Sequence, residues 1–125
     1  MIMGYPGATD RYLTSYGIKQ KLEQLNPAEI LLKTTVMDIL KRYMQSGDAL
    51  RIAYASDYAY LANFQKKAIQ ESKALKKLRV FEDKKAMEDA FTEWVGQDQA
   101  RKEKYGNLMK DFSKIYNTKT TEWLM

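Results

Sequence analysis

Apolar residues recur at spacings of three and four along most of this chain, which is the period of an amphipathic helix. Asn26-Pro27 reads as a cap followed by a first-turn proline. Beyond it, Ile30, Leu31, Val36, Ile39, Leu40, Tyr43 and Met44 line one face as far as Ser46-Gly47, where Gly47 offers a helix stop. Asp48 caps a second, much longer pattern from Ala49 to about Leu78, with Leu50, Tyr54, Tyr58, Leu61, Phe64, Ala68, Leu75 and Leu78 on its apolar side. At 1.5 Å per residue such a helix is roughly 45 Å long. A further helix is predicted from near Asp83 to Gly96, burying Ala86, Met87, Ala90, Phe91, Trp94 and Val95. The next runs from about Asp98 to Tyr116 on Tyr105, Leu108, Met109, Phe112 and Ile115, with Gly106 inside it marking a close approach of two helices.

The ends read differently. Gly17 to Leu25 has the pattern of a short helix, and Ala8 to Tyr16 that of a loop. Met1 to Tyr5, closed by Pro6-Gly7, has the look of a strand entering a turn, with no second strand to pair with. Thr118 to Met125 begins another helix and stops on Trp123-Leu124-Met125, an apolar end, so both termini look cut from something longer. The expectation is a mainly α fold: an incomplete antiparallel helical bundle with a very long central helix and an orphan N-terminal strand. Residues 1–16 would be strand and connection, and residues 17–125 the helical unit.

Composition supports helices. Among 125 residues there are 2 prolines and 6 glycines, and the 45% hydrophobic content suffices for a modest core. The 21 basic and 16 acidic residues leave a net charge of +5. They alternate along the chain, so a solvated surface explains them better than a nucleic-acid tract does. There is no cysteine, which removes disulfides and thiolate metal sites. No segment reaches the roughly 20 apolar residues of a membrane span, and the opening residues lack the form of a signal peptide.

The absence of histidine is the firmest chemical constraint. It removes a Ser-His-Asp triad and most zinc sites from this chain. Glu82 and Asp83 suit a helix N-terminus. Glu88, Asp89 and Glu93, with Lys84 and Lys85 one turn earlier, suit surface ion pairs; no metal or cofactor is expected. Ser72 and Lys76 are four apart, a spacing that permits a Ser–Lys dyad but also arises by chance on any helix. Gly4, Gly7 and Gly17 fit no phosphate loop. Tyr54, Tyr58 and Tyr60, followed by Lys66 and Lys67, offer a stacking surface, although Tyr54 and Tyr58 also continue the core stripe. Asn63 stands out beside the apolar face of the long helix. Asn is a poor helix former, and its amide oxygen can accept a hydrogen bond from a ligand's ammonium group or from a neighbouring helix.

Met1-Ile2-Met3-Gly4-Tyr5-Pro6-Gly7 with Thr9, Arg11, Tyr12, Leu13, Thr14 and Ser15 resembles the barrel-exit motif of the dipeptidyl-peptidase 7 and 11 family of bacterial serine exopeptidases. Ala49-Leu50-Arg51-Ile52, Tyr54-Ala55-Ser56, Tyr58-Ala59 and Ala62-Asn63-Phe64 resemble its long-helix signature, and Arg101, Lys104, Tyr105 and Gly106 a later helix motif. Gln65 and Lys67 depart from the Trp and Asn usual there. The resemblance implies an exported, periplasmic or cell-surface homodimer that removes dipeptides from peptide N-termini, with a chymotrypsin-like double β-barrel and an inserted helical cap. It further implies that the triad His and Asp precede Met1, that the Ser follows Met125, and that Asn63 helps to hold the substrate α-amine. On this view the chain is the last barrel strand before the insertion plus part of the cap, and its partners are the missing barrels and the peptide. The alternative is a self-contained basic helical module that binds protein or nucleic acid.

Overall fold

The computed structural model describes the backbone of residues 10–123 and the side chains of residues 10–118. Its elements are α1 (Ser15–Gln20), a π-helical turn (Lys21–Leu25), α2 (Asn26–Gln45), α3 (Asp48–Lys77), α4 (Val80–Gly96), α5 (Gln99–Tyr105) and α6 (Leu108–Trp123). The fold is mainly α, as the periodicity predicts. The strand expected at Met1–Tyr5 lies outside the described residues.

The expected break at Asn26-Pro27 is absent. Asn26 is itself helical (φ −65°, ψ −44°), and α1, the π turn and α2 form one uninterrupted rod. Pro27 supplies the reason for the π turn. A proline inside a helix lacks the N–H that would reach back four residues, and its ring collides with that carbonyl. A turn widened by one residue relieves the conflict, and the Asn26 N–H accordingly donates to the Lys21 carbonyl five residues back. Asn26 is not a cap: it is buried, and its amide turns toward α3 instead.

After Ser46-Gly47 the chain reverses, and α3 packs along α2 as the long hairpin that the pattern predicts. Gly47 takes the N-cap position and Asp48 is already the first helical residue, where its carboxylate pairs with Arg51 at 2.9 Å. Arg79 ends α3 and starts α4 in a left-handed conformation (φ 52°, ψ 38°), so α4 begins at Val80 and not at Asp83. The predicted helix from Asp98 to Tyr116 is two helices that break at Gly106-Asn107. Gly106 does not mark contact between helices. A methyl group there would meet its own turn's Lys102 carbonyl oxygen at 2.5 Å, so the constraint is local. The close approach occurs at Gly17, where a methyl group would come within 2.8 Å of Leu13 Cδ2 and 2.9 Å of the Tyr116 hydroxyl. The helix expected to start at Thr118 is the continuation of α6.

The helices sort into two packing groups: α2 pairs with α3, while α1 packs on α4 and α6. Ile18, Ala68 and Val95 are the buried apolar side chains of the described residues. Much of the predicted core face is therefore open. Leu31 (71% exposed) and Met87 (65%) lie bare, and so, in part, do Ile39, Tyr43, Tyr54, Leu78, Trp94 and Ile115. The accessible surface of 10195 Å² compares with ~6,900 Å² for a compact monomer of this mass. The helical period located the inward face only in part. In α4, Phe91 and Val95 face inward beside the half-buried Lys84 and Glu88, whereas Ala86, Met87, Ala90 and Trp94 are exposed. The described residues do not supply enough surface to cover them.

Candidate functional site

Asn63 sits mid-way along α3, exposed, on the turn that carries the Tyr60–Phe64 ring pair (centroids 4.7 Å apart). The Lys33 ammonium from α2 lies 5.6 Å from the Phe64 centroid and closes one side of this patch. Among the described residues the Asn63 amide has no hydrogen-bond partner, so it holds no helices together. Gln65, one residue beyond Phe64, donates from Nε2 to Thr34 Oγ1 of α2 at 2.6 Å and does bridge the hairpin.

The other candidates resolve into structural roles. Ser72 is half-buried, and its hydroxyl accepts from Asn26 Nδ2 at 3.0 Å, whereas Lys76 is exposed and makes no bond to it. The dyad is not formed. Lys85 pairs with Asp89 at 2.5 Å along α4, which raises the pKa of Lys85, first through the Asp89 hydrogen bond. Lys84 instead donates to the Arg11 carbonyl at 2.9 Å. Glu88 is no surface partner. Its Oε1 accepts from the Ser15 N–H at 2.6 Å and its Oε2 from the Ser15 hydroxyl at 2.5 Å, joining α4 to the first turn of α1. No group of acidic residues able to hold a metal ion occurs among the described residues. Tyr54 and Tyr60 are exposed and Tyr58 half-buried, so the tyrosines form no shared stripe of core.

Sequence reasoning missed a polar knot beside the π turn. Lys21 Nζ reaches Asp10 Oδ2 at 2.5 Å and Glu71 Oε1 at 3.1 Å, and Asn26 Nδ2 donates to Glu71 Oε2 at 3.1 Å. Burial opposes the Lys21 charge, yet the two carboxylates more than offset it and its pKa is raised; Asp10 is lowered by its hydrogen bond to Lys21. Only a proline beside an asparagine hinted at this knot, and that pair reads first as a cap. The later helix motif also has a visible use. Arg101 stacks over Trp94 at 4.2 Å and donates to the Trp94 carbonyl, while Tyr105 packs edge-on against Phe91, so these residues brace the corner between α4 and α5.

No helix among the described residues is long and apolar enough to cross a membrane. What remains is a helical, incompletely covered unit with no catalytic constellation among the described residues. A profile of the Peptidase S46 family matches residues 1–123, and the chain belongs to that family. It is 39% identical over 116 residues to an Asp/Glu-specific dipeptidyl-peptidase of Flavobacterium psychrophilum, covering 93% of this chain and 16% of the relative. To dipeptidyl-peptidase 7 of Porphyromonas gingivalis it is 37% identical over the same shares. To that of Capnocytophaga gingivalis it is 35% identical over 122 residues, 98% of this chain and 17% of the relative. The chain thus spans about 16% of the length of these curated relatives.

Proposed function

We propose that this chain is a segment of the helical cap of a serine dipeptidyl peptidase, shaping the cleft in which dipeptides are released from peptide N-termini. One observation carries the reading: relatives named as dipeptidyl peptidases match nearly the whole chain, yet it makes up only 16% of their length. The physical features agree with it. The chain has no histidine to serve as a general base, and its open apolar faces require cover from further polypeptide. The triad then comes from barrel domains elsewhere in the same protein, which is exported to the periplasm or cell surface and works as a homodimer.

An exopeptidase must block the cleft two residues beyond the scissile bond and hold a free α-ammonium there. Asn63 is the residue of this chain that does so, through an amide oxygen left free by its neighbours. An amide is uncharged and cannot neutralise the ammonium, and the nearby Lys66 and Lys67 are cationic. In this reading a carboxylate from another part of the protein supplies the counter-charge. In the full-length parent enzyme, Asn63→Ala weakens binding of dipeptide-yielding substrates by about 1–3 kcal/mol, read as a rise in KM. An unchanged KM removes Asn63 from the site. Dipeptide release by the 125-residue chain alone, purified from a host lacking the parent, overturns the cap reading itself.

A further inference from the structure

We propose that the π turn Lys21–Leu25 and the left-handed Arg79 are the two pivots of a joint, on which the α2–α3 hairpin swings relative to the base formed by α1, α4 and α6. The joint rests on the packing of this chain and is independent of the peptidase reading.

The chain crosses between the two packing groups at these two places, and both are irregular. The rod from Ser15 to Gln45 is α-helical except where it leaves the base, and there it carries a π turn followed by Pro27. A π turn has fewer well-aligned bonds than an α turn, and Pro27 removes one more, so bending there disturbs less hydrogen bonding than bending elsewhere in the rod. On the return path, a non-glycine residue in the left-handed region costs roughly 1 kcal/mol, which lowers the resistance of that turn to rearrangement. Direct contact of α3 with α4 and with the π turn is slight beside that of α3 with α2. Two clefts of about 390 and 420 Å³ open at this level, sharing Lys19, Glu23 and Phe81, so the joint has free space on its flank. The buried Gln24 Oε1 has no hydrogen-bond partner among the described residues, a local cost of the present geometry.

The polar knot is the latch. Lys21 of the π turn grips Glu71 of α3 across the joint, while Asn26, inside the hairpin, holds the same carboxylate in place. Asp10 ties the segment before α1 to the same lysine. With the latch closed the hairpin angle is fixed; with it open the angle is free. A tilt of about 10° at the foot of a helix roughly 30 Å long moves its far end by about 5 Å.

The chain has no cysteine, so paired spin labels report this directly. One pair, Gln45→Cys with Glu93→Cys, spans the joint; a second, Lys41→Cys with Lys73→Cys, lies within the hairpin. Each is measured by pulsed electron–electron resonance in the full 125-residue chain, with and without Glu71→Gln, and again with Lys21→Met, which removes both ion pairs of Lys21 but keeps its apolar stem. Helical content is checked by circular dichroism, and only samples matching the unsubstituted chain are compared. The expected result is a distance distribution across the joint that broadens by about 5 Å or more on opening the latch, with the hairpin pair unchanged. No broadening across the joint with either variant overturns the proposal. Equal broadening of both pairs also overturns it, since the hairpin is then loosening as a whole.

Discussion

Replacing Glu88 is the most informative single perturbation of this chain. Its carboxylate is half-buried and accepts both hydrogen bonds that Ser15 can donate, at 2.6 and 2.5 Å, while Ser15 itself is only 2% exposed. Ser15 opens α1, so the carboxylate also faces the positive end of a helix. In Glu88→Ala the Ser15 hydroxyl can rotate to a new acceptor, but its N–H is stranded. A charge-assisted bond is lost and a buried donor is left unpaired, together costing about 3 kcal/mol. For a chain of this size that lowers the Tm by roughly 10 °C. Glu88→Gln keeps an acceptor for the N–H and a donor for the hydroxyl, so it should cost only about 1 kcal/mol. Urea unfolding followed by circular dichroism measures both, and Ser15→Ala completes a cycle with an expected coupling of about 1–2 kcal/mol. If Glu88→Ala and Glu88→Gln differ by less than about 0.5 kcal/mol, the interhelical cap contributes nothing beyond surface charge and the reasoning fails.

Gly17→Ala should destabilise the chain by about 1–3 kcal/mol and weaken the Tyr16–Tyr116 stack, since the added methyl intrudes on Leu13 and the Tyr116 hydroxyl; near-ultraviolet circular dichroism reads the tyrosine environment. The Lys21 ion pairs make stability depend on pH at both extremes. The lowered pKa of Asp10 gives a contribution present above its unfolded value of 3.8 and lost as pH falls through the folded value below it. The raised pKa of Lys21 gives one present below 10.5 and lost as pH rises through the higher folded value. Asp10→Asn should therefore flatten the acid limb of a stability–pH profile by lowering its neutral plateau, with stability at the acid end unchanged. Arg101→Ala should cost about 1 kcal/mol and shift the emission of Trp94 to the red in a Trp123→Phe background, because the guanidinium shields one ring face. An unshifted spectrum would mean that the stack does not persist in solution.

Local patterns settled which parts of this chain are helical. The α2–α3 hairpin, the stop at Ser46-Gly47 and the length of α3 follow from a period and a glycine, because each depends on residues a few positions apart. The absence of histidine likewise limits chemistry without reference to shape. Tertiary structure alone decided the rest. Whether Asn26 caps a helix or turns toward Glu71 depends on what lies 45 residues away. Glu88 is read as a surface charge until α1 arrives against it, 73 residues distant in sequence. The apolar stripes show the same limit from the other side: periodicity proposes which face of a helix needs cover, but only packing shows that Leu31 and Met87 receive little from the described residues. Helical propensity is a property of neighbours in sequence, whereas burial, polar pairing and the shape of a site are properties of neighbours in space.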